Sequence, residues 1–212
     1  MKTTTPIVKP ISQMCFSPGS VVSIPDVSWQ EFEAILQELG EKRSSRVIYS
    51  HNTLEIMVPL PEHELPIDLI SDIIKTVLKA TGKRYQAFGS TTFKQEAIAG
   101  VEADASFYIQ NYQKMIGRRR LEPNDPPPDL ALEIDLTSKT AWAAYEALKV
   151  PELWIYTQGK LTIYLFENGQ YIQSKNSPNF PDIDIANLVE KAVERAWEVG
   201  SFQALEEVET QF

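Results

Sequence analysis

Cysteine is nearly absent: Cys15 is the single one in 212 residues, which excludes an internal disulfide framework and a zinc site built mainly on thiolates. There is no G-x-x-x-x-G-K-[ST] loop, no G-x-G-x-x-G and no G-x-S-x-G elbow, so the common nucleotide-binding and serine-hydrolase signatures are missing. No apolar run approaches the ~18 residues of a membrane span. The opening "MKTTTPIVKPISQ" lacks the apolar core of a signal peptide, and the cytoplasm is the expected compartment. Positive charge is short as well, with 20 Lys+Arg against 29 Asp+Glu and a net charge of −9. That balance argues against a protein that coats nucleic acid non-specifically. It leaves room for an enzyme that brings a divalent cation to a phosphate. The two histidines, His51 near a turn and His63 before a helix, suit surface or capping roles.

What is present is an ordinary globular composition, 43% apolar and 23% charged, of a length that fits one large domain. Residues 1–27, rich in Pro, Ser and Thr, read as an irregular lead-in, and 28–212 as the domain. Ser28 and Glu31 match a capping box, followed by a helical stripe of Trp29, Phe32, Leu36 and Leu39 that ends at Gly40. "RVIYSHNTLEIMVP" reads as two strands around a turn at Asn52. Leu69, Ile70, Ile73, Ile74, Val77 and Leu78 form the apolar face of a helix within 61–82. "YQAFGSTTFK" and "EADASFYI" read as strands joined by a loop, and "TAWAAYEALK" as a short helix. Hairpins turn at Gln158-Gly159 and Asn168-Gly169. A last helix carries Ile185, Leu188, Val189, Ala192, Val193, Ala196 and Trp197 on one face. Strands clustered between helices indicate an α/β or α+β domain with a mixed sheet.

The chemistry concentrates in "PPPDLALEIDLTS", residues 126–138. Leu130, Leu132, Ile134 and Leu136 alternate, which makes a strand with one apolar face, while Asp129, Ala131, Glu133 and Asp135 line the other. Two carboxylates two residues apart on a strand project from one face about 6.6 Å apart. Like charges that close raise one another's pKa unless a cation separates them. A solvated outer face would also carry such residues, but "LALEIDL" is too apolar for a strand open to water. Asp104 begins a neighbouring strand, and carboxylates on successive strands can converge on one hard cation, typically magnesium, able to generate a hydroxide at a phosphate. The basic cluster Arg118, Arg119 and Arg120 precedes this strand, placed either to hold nucleic-acid phosphates or as a solvated turn. A glycosidase would also use paired carboxylates, but Trp154 and Tyr156, the aromatics that could line a sugar site, alternate on a strand as core residues do.

The order "LEIMVPLPEHE", "GSTTFK", "GVEADASFYIQNY", "PPPDLALEIDLTS" and "YEALKVPELWIY" resembles the restriction endonuclease family greatly expanded in cyanobacteria, a branch of the PD-(D/E)XK nuclease superfamily. The resemblance runs from about residue 28 to about 200. It implies a restriction-endonuclease-like fold, a central mixed sheet flanked by helices, and cleavage of DNA phosphodiesters that depends on magnesium, with manganese able to substitute. Asp104 falls at the aspartate of the first half-motif, with Ala103 in place of its proline, and Glu133 at the acid of the second. Glu64 stands where similar nucleases have an auxiliary acid, a position that also suits a helix start. The lysine that should follow the second acid is Asp135 here. An aspartate cannot orient water as a lysine does, but it can ligate metal. Lys94 is expected to supply the missing positive charge, on the assumption that its strand pairs with the one starting at Asp104; Lys139 is the alternative. A homodimer would provide the two sites needed to cut both strands. The rival expectation is a catalytically impaired module that keeps the fold to bind nucleic acid or protein.

Overall fold

The computed structural model describes residues 9–40, 43–89, 91–122 and 124–212. Val21–Ile24 (β1) lies inside the stretch expected to be irregular, yet it pairs antiparallel with Thr53–Met57 (β3). Its β-branched "VVSI" suits a strand, and flanking Pro, Gly and Ser obscure so short a segment in the sequence. Trp29–Leu39 (α1) has the expected capping box between Ser28 and Glu31 and ends at Gly40. Arg46–Ser50 (β2) joins β3 through His51 and Asn52, both left-handed at φ 48° and 57°, the turn whose twist matches paired strands.

The helix predicted within 61–82 is Glu64–Ala80 (α2), preceded by one 3-10 turn over Pro61–His63. Beyond it the chain behaves differently from the simple reading. "YQAFGSTTFK" divides into Gln86–Phe88 (β4) and Thr92–Gln95 (β5), and the next segment divides into Ala99–Glu102 (β6) and Ala105–Tyr108 (β7). β5 pairs with β6, while β4 pairs with β7. The hairpin therefore crosses from one sheet to another, and Asp104 sits at the crossing.

Tyr112–Met115 (α3) leads into the connector before Leu130–Ile134 (β8). Lys139–Leu148 (α4) then carries the chain to Glu152–Thr157 (β9), which runs parallel to β8. Parallel neighbours need such a crossover. Lys160–Glu167 (β10) and Gln170–Ser174 (β11) follow through the two predicted turns, and Ile185–Val199 (α5) and Ser201–Glu209 (α6) close the chain. The result is a mixed α/β fold with a five-stranded sheet ordered β1-β3-β2-β6-β5 and a six-stranded sheet ordered β11-β10-β9-β8-β7-β4.

β8 is buried on both faces. Leu130, Leu132 and Ile134 share one core cluster with Ile70, Ile73 and Ile74 of α2, which lies against β8, and with Val189 and Val193 of α5. On the other face Ala131 meets Ala141 and Tyr145 of α4 and Ile48 and Val101 of the first sheet. Helix α1 covers the far side of that sheet through Phe32. Trp197, expected on the buried stripe of α5, is 62% exposed, because the stripe that packs is Ile185, Val189, Ala192, Val193 and Ala196.

Gly100 on β6 faces Phe32, and a Cβ there would lie 2.8 Å from its Cζ. Phe32 is fully buried and held between Trp29 and Tyr49, at ring distances of 5.1 and 4.7 Å, so it has little room to move. Gly100→Ala should therefore destabilise the fold by about 1–3 kcal/mol, lowering Tm by ~2–4 °C per kcal/mol. A thermal melt unchanged from the parent would contradict this packing.

Candidate active site

The pairing of β7 with β8 sets the geometry. Ala105 stands opposite Leu132, so continuing the register one residue places Asp104 opposite Glu133. Cross-strand partners share a face, with Cβ atoms about 4.5–5.5 Å apart. The two carboxyl groups meet in the interior, 7% and 3% exposed. Asp104 Oδ2 accepts from the Ile134 amide at 2.7 Å, which fixes it at the end of β8. Glu133 accepts a hydrogen bond from the Tyr145 hydroxyl of α4.

Arg46 completes the centre. Extending the register of β2 with β6 (Tyr49 opposite Gly100) sets it against Ala103. Its Nη1 donates to the Ala103 carbonyl at 3.0 Å, and its Nη2 lies 2.8 Å from Asp104 Oδ1. Arg46 is 8% exposed, and its Nε has no hydrogen-bond partner among the described residues.

These contacts decide where charge resides. Burial holds the Glu133 carboxyl well above the usual carboxylate range, and the adjacent Asp104 adds to the effect. Burial pushes Asp104 upward too, against the Arg46 guanidinium, the Ile134 amide and a hydrogen bond from Glu133. The pair thus shares a proton that resides on Glu133. Burial and Glu133 also keep the Tyr145 hydroxyl protonated, hence a donor.

The other predicted residues are dispersed. Asp135 follows the end of β8 in a left-handed conformation, φ 54°, which breaks the alternation that would have kept it beside Glu133. Its carboxylate is 42% exposed, accepts from Thr157 and lies 3.1 Å from His63 Nε2. Lys94 stands opposite Gly100 and binds Glu33 of α1 at 2.8 and 3.0 Å. Four residues of strand, roughly 13 Å, separate that position from Asp104, so the expected proximity is not found. The cause is the sheet crossing: the partner of the Asp104 strand is β4, and Lys94 belongs to β5. Lys139 is exposed at the start of α4 and Glu64 at the start of α2. Arg118 pairs with Glu122 at 2.7 Å and Asp125 at 3.1 Å, while Arg119 and Arg120 are exposed.

Sequence reading missed Arg46, Tyr145 and Glu55. Glu55, buried in β3, accepts from Ser138 and, at 2.7 Å, from Thr140, and so anchors the first turn of α4. The available signal was a charged residue set among apolar ones, as in "RVIY" and "LEIM".

Among the described residues no group of three or more His, Cys, Asp and Glu could hold a metal. Magnesium commonly takes one or two carboxylates and completes its shell with water and substrate phosphate, so a site of two acids is the smallest protein contribution it would need. Asp104 and Glu133 are the residues that would hold it.

Comparison with known proteins agrees with the architecture. The family model described as "Uma2: Putative restriction endonuclease" matches residues 29–198. A crystal structure described as "a putative nuclease belonging to DUF820 from Anabaena variabilis ATCC 29413" superposes with a TM-score of 0.53 at 14% identity. The match covers 84% of this chain and 99% of that one, and shows a shared fold. No curated protein matches.

Since Glu133 is neutral in the fold, its contribution to stability is fully present below the carboxyl pKa of the unfolded chain and is lost as pH rises through the raised folded value. Glu133→Gln cannot ionise. In metal-free buffer it should match the parent near pH 4–5 and melt at a higher temperature by pH 8, an increase of a few degrees. Parallel melting curves across that range would show that Glu133 is not protonated in the fold.

Proposed function

Because the chain belongs to the Uma2 family, we propose that it is an endonuclease that hydrolyses DNA phosphodiester bonds with a water activated by a divalent cation, magnesium or manganese, at Asp104 and Glu133. The observation that carries this reading is the register of β7 with β8, which continued by one residue sets Asp104, just ahead of β7, opposite Glu133. Magnesium bound there would lower the pKa of a coordinated water and stabilise charge developing on the phosphate.

The chain's own residues prepare the centre. The Ile134 amide orients Asp104, and the Tyr145 hydroxyl orients Glu133. Glu55 fixes the start of the helix that carries Tyr145. Asp135 and His63 form a second ionisable pair at 3.1 Å that begins where β8 ends, and its partial exposure sets it on the solvent side of the buried acids. DNA is the proposed partner. One such centre cuts one strand, so cleavage of both strands calls for two copies of the chain.

A second reading draws on two observations. The position that carries lysine in the superfamily motif is Asp135, and both oxygens of Asp104 are already engaged, by Arg46 and by the Ile134 amide. On that basis the protein would be a nuclease-fold module that binds nucleic acid or protein without cutting.

Plasmid nicking in magnesium or manganese, paired with manganese titration calorimetry, separates the two. The parent chain should bind manganese and nick. Asp104→Asn should lose the cation and lower nicking by about two orders of magnitude or more, the scale of removing one charge-stabilising group. A parent that binds DNA with no nicking in either metal would establish the second reading instead.

A further inference from the structure

The Asp104–Glu133 pair needs positive charge, and among the described residues the guanidinium of Arg46, from the other sheet, is paired directly with it. Its guanidinium is committed to the Ala103 carbonyl and to Asp104 through Nη1 and Nη2, while Nε is buried with no partner among the described residues. An arginine with an unmatched donor in the interior is incompletely satisfied, and a functional role is among the reasons such a group is kept.

We propose that Arg46 is the phosphate-binding residue of this centre, exchanging Asp104 for the scissile phosphate when a divalent cation takes the carboxylates. The inference rests on the metal-centre reading above. Charge counting supports it. Two carboxylates and a dication sum to zero, which leaves the buried guanidinium without a counter-charge. One phosphodiester, with a single negative charge, restores neutrality and offers oxygens for the fork of donors that arginine presents. In the cation-free chain the same guanidinium keeps Asp104 neutralised and so competes with the metal. The structure thus places a cation beside the acids from β2, where the superfamily motif would place a lysine on β8.

This arrangement couples the two binding events, and removing the charge should move them in opposite directions. Arg46→Met keeps most of the length and loses the charge; Arg46→Lys keeps the charge; Asp104→Asn is the metal control. Manganese affinity is measured by calorimetry without DNA. Affinity for a short labelled duplex is measured by anisotropy in calcium, a cation that also binds carboxylate oxygens. Arg46→Met should bind manganese about tenfold more tightly and the duplex about tenfold more weakly than the parent, within the usual range of coupling between sites. Arg46→Lys should keep the parent's pattern, which also guards against a fold lost by the methionine variant.

If both affinities fall together in Arg46→Met, or neither moves, Arg46 is a structural brace and the proposal is overturned. If the parent and Arg46→Met both fail to take up manganese, the metal-centre reading itself is wrong. That outcome is distinct from a parent that binds manganese with an affinity Arg46→Met does not improve, which overturns the role of Arg46 alone.

Discussion

Two carboxyl groups that face each other in a protein interior cannot both be ionised without a counter-charge. Asp104 and Glu133 are held in that relation, and the structure around them is arranged to meet it. The guanidinium comes from β2 in the five-stranded sheet, the hydroxyl from α4 and the amide from the end of β8. Each partner belongs to a different element, so neutralising the pair also fixes how the sheets and the crossover helix meet. Removal of one partner from a buried pair costs about 3–5 kcal/mol, because the remaining charge is left uncompensated.

Backbone topology makes the meeting possible. The β5–β6 and β4–β7 pairings belong to different sheets, and the chain passes between them at Ala103 and Asp104. A carboxylate at that joint can be reached by Arg46 from one sheet and by Ile134 from the other. Helix α4 is aligned over the joint from a distance. Glu55 of β3 takes the hydroxyls of Ser138 and Thr140, Ser138 caps the Ala141 amide at 3.1 Å, and two turns later Tyr145 reaches Glu133. An acid with no place in the acid pair thereby positions one member of it.

How much of this was legible depends on whether the signal was local. Helices α1 and α2 and the three left-handed turns follow from caps, periodicity and turn residues within a few positions of one another, and they appear where expected. Asp104 and Glu133 stood out because an acid on an apolar strand is unusual, and the structure brings them together. Arg46 carried the same kind of sign, a charge at the head of "RVIY", but nothing local linked it to the acids, and Tyr145 gave none; their roles arise only when β2 and α4 meet the acid pair. Lys94 is misplaced when "YQAFGSTTFK" is taken as one strand, because a break near Gly89 leaves β4 in one sheet and sets β5, with Lys94, in the other. Asp135 was misplaced by a single residue's backbone: at φ 54° it leaves the strand it was assumed to continue.

The three carboxylates of "PPPDLALEIDLTS" share a chemistry and not a fate, and the difference bears on function. Asp129 accepts from the amides of Ile109, Gln110 and Asn111 and from the Asn111 side chain, at 2.7 to 3.1 Å, so its charge is matched by dedicated donors. Asp135 turns out to Thr157 and His63. Other buried acids resemble Asp129: Glu152 is held by Trp154 and Asn179, and Glu102 by Arg43, Thr92 and the Val47 amide. Each of these has donors enough to serve as a structural anchor. Asp104 and Glu133 differ, because part of what each faces is the other acid, and without a cation the two can adjoin only by holding a proton between them. A purely architectural role would be met at lower cost by an amide in place of Glu133, whose N–H would serve Asp104 at every pH without a proton having to be held there. Local rules broken without structural gain are characteristic of functional sites. What two opposed carboxyls offer that an amide cannot is a pair of anionic oxygens for one cation.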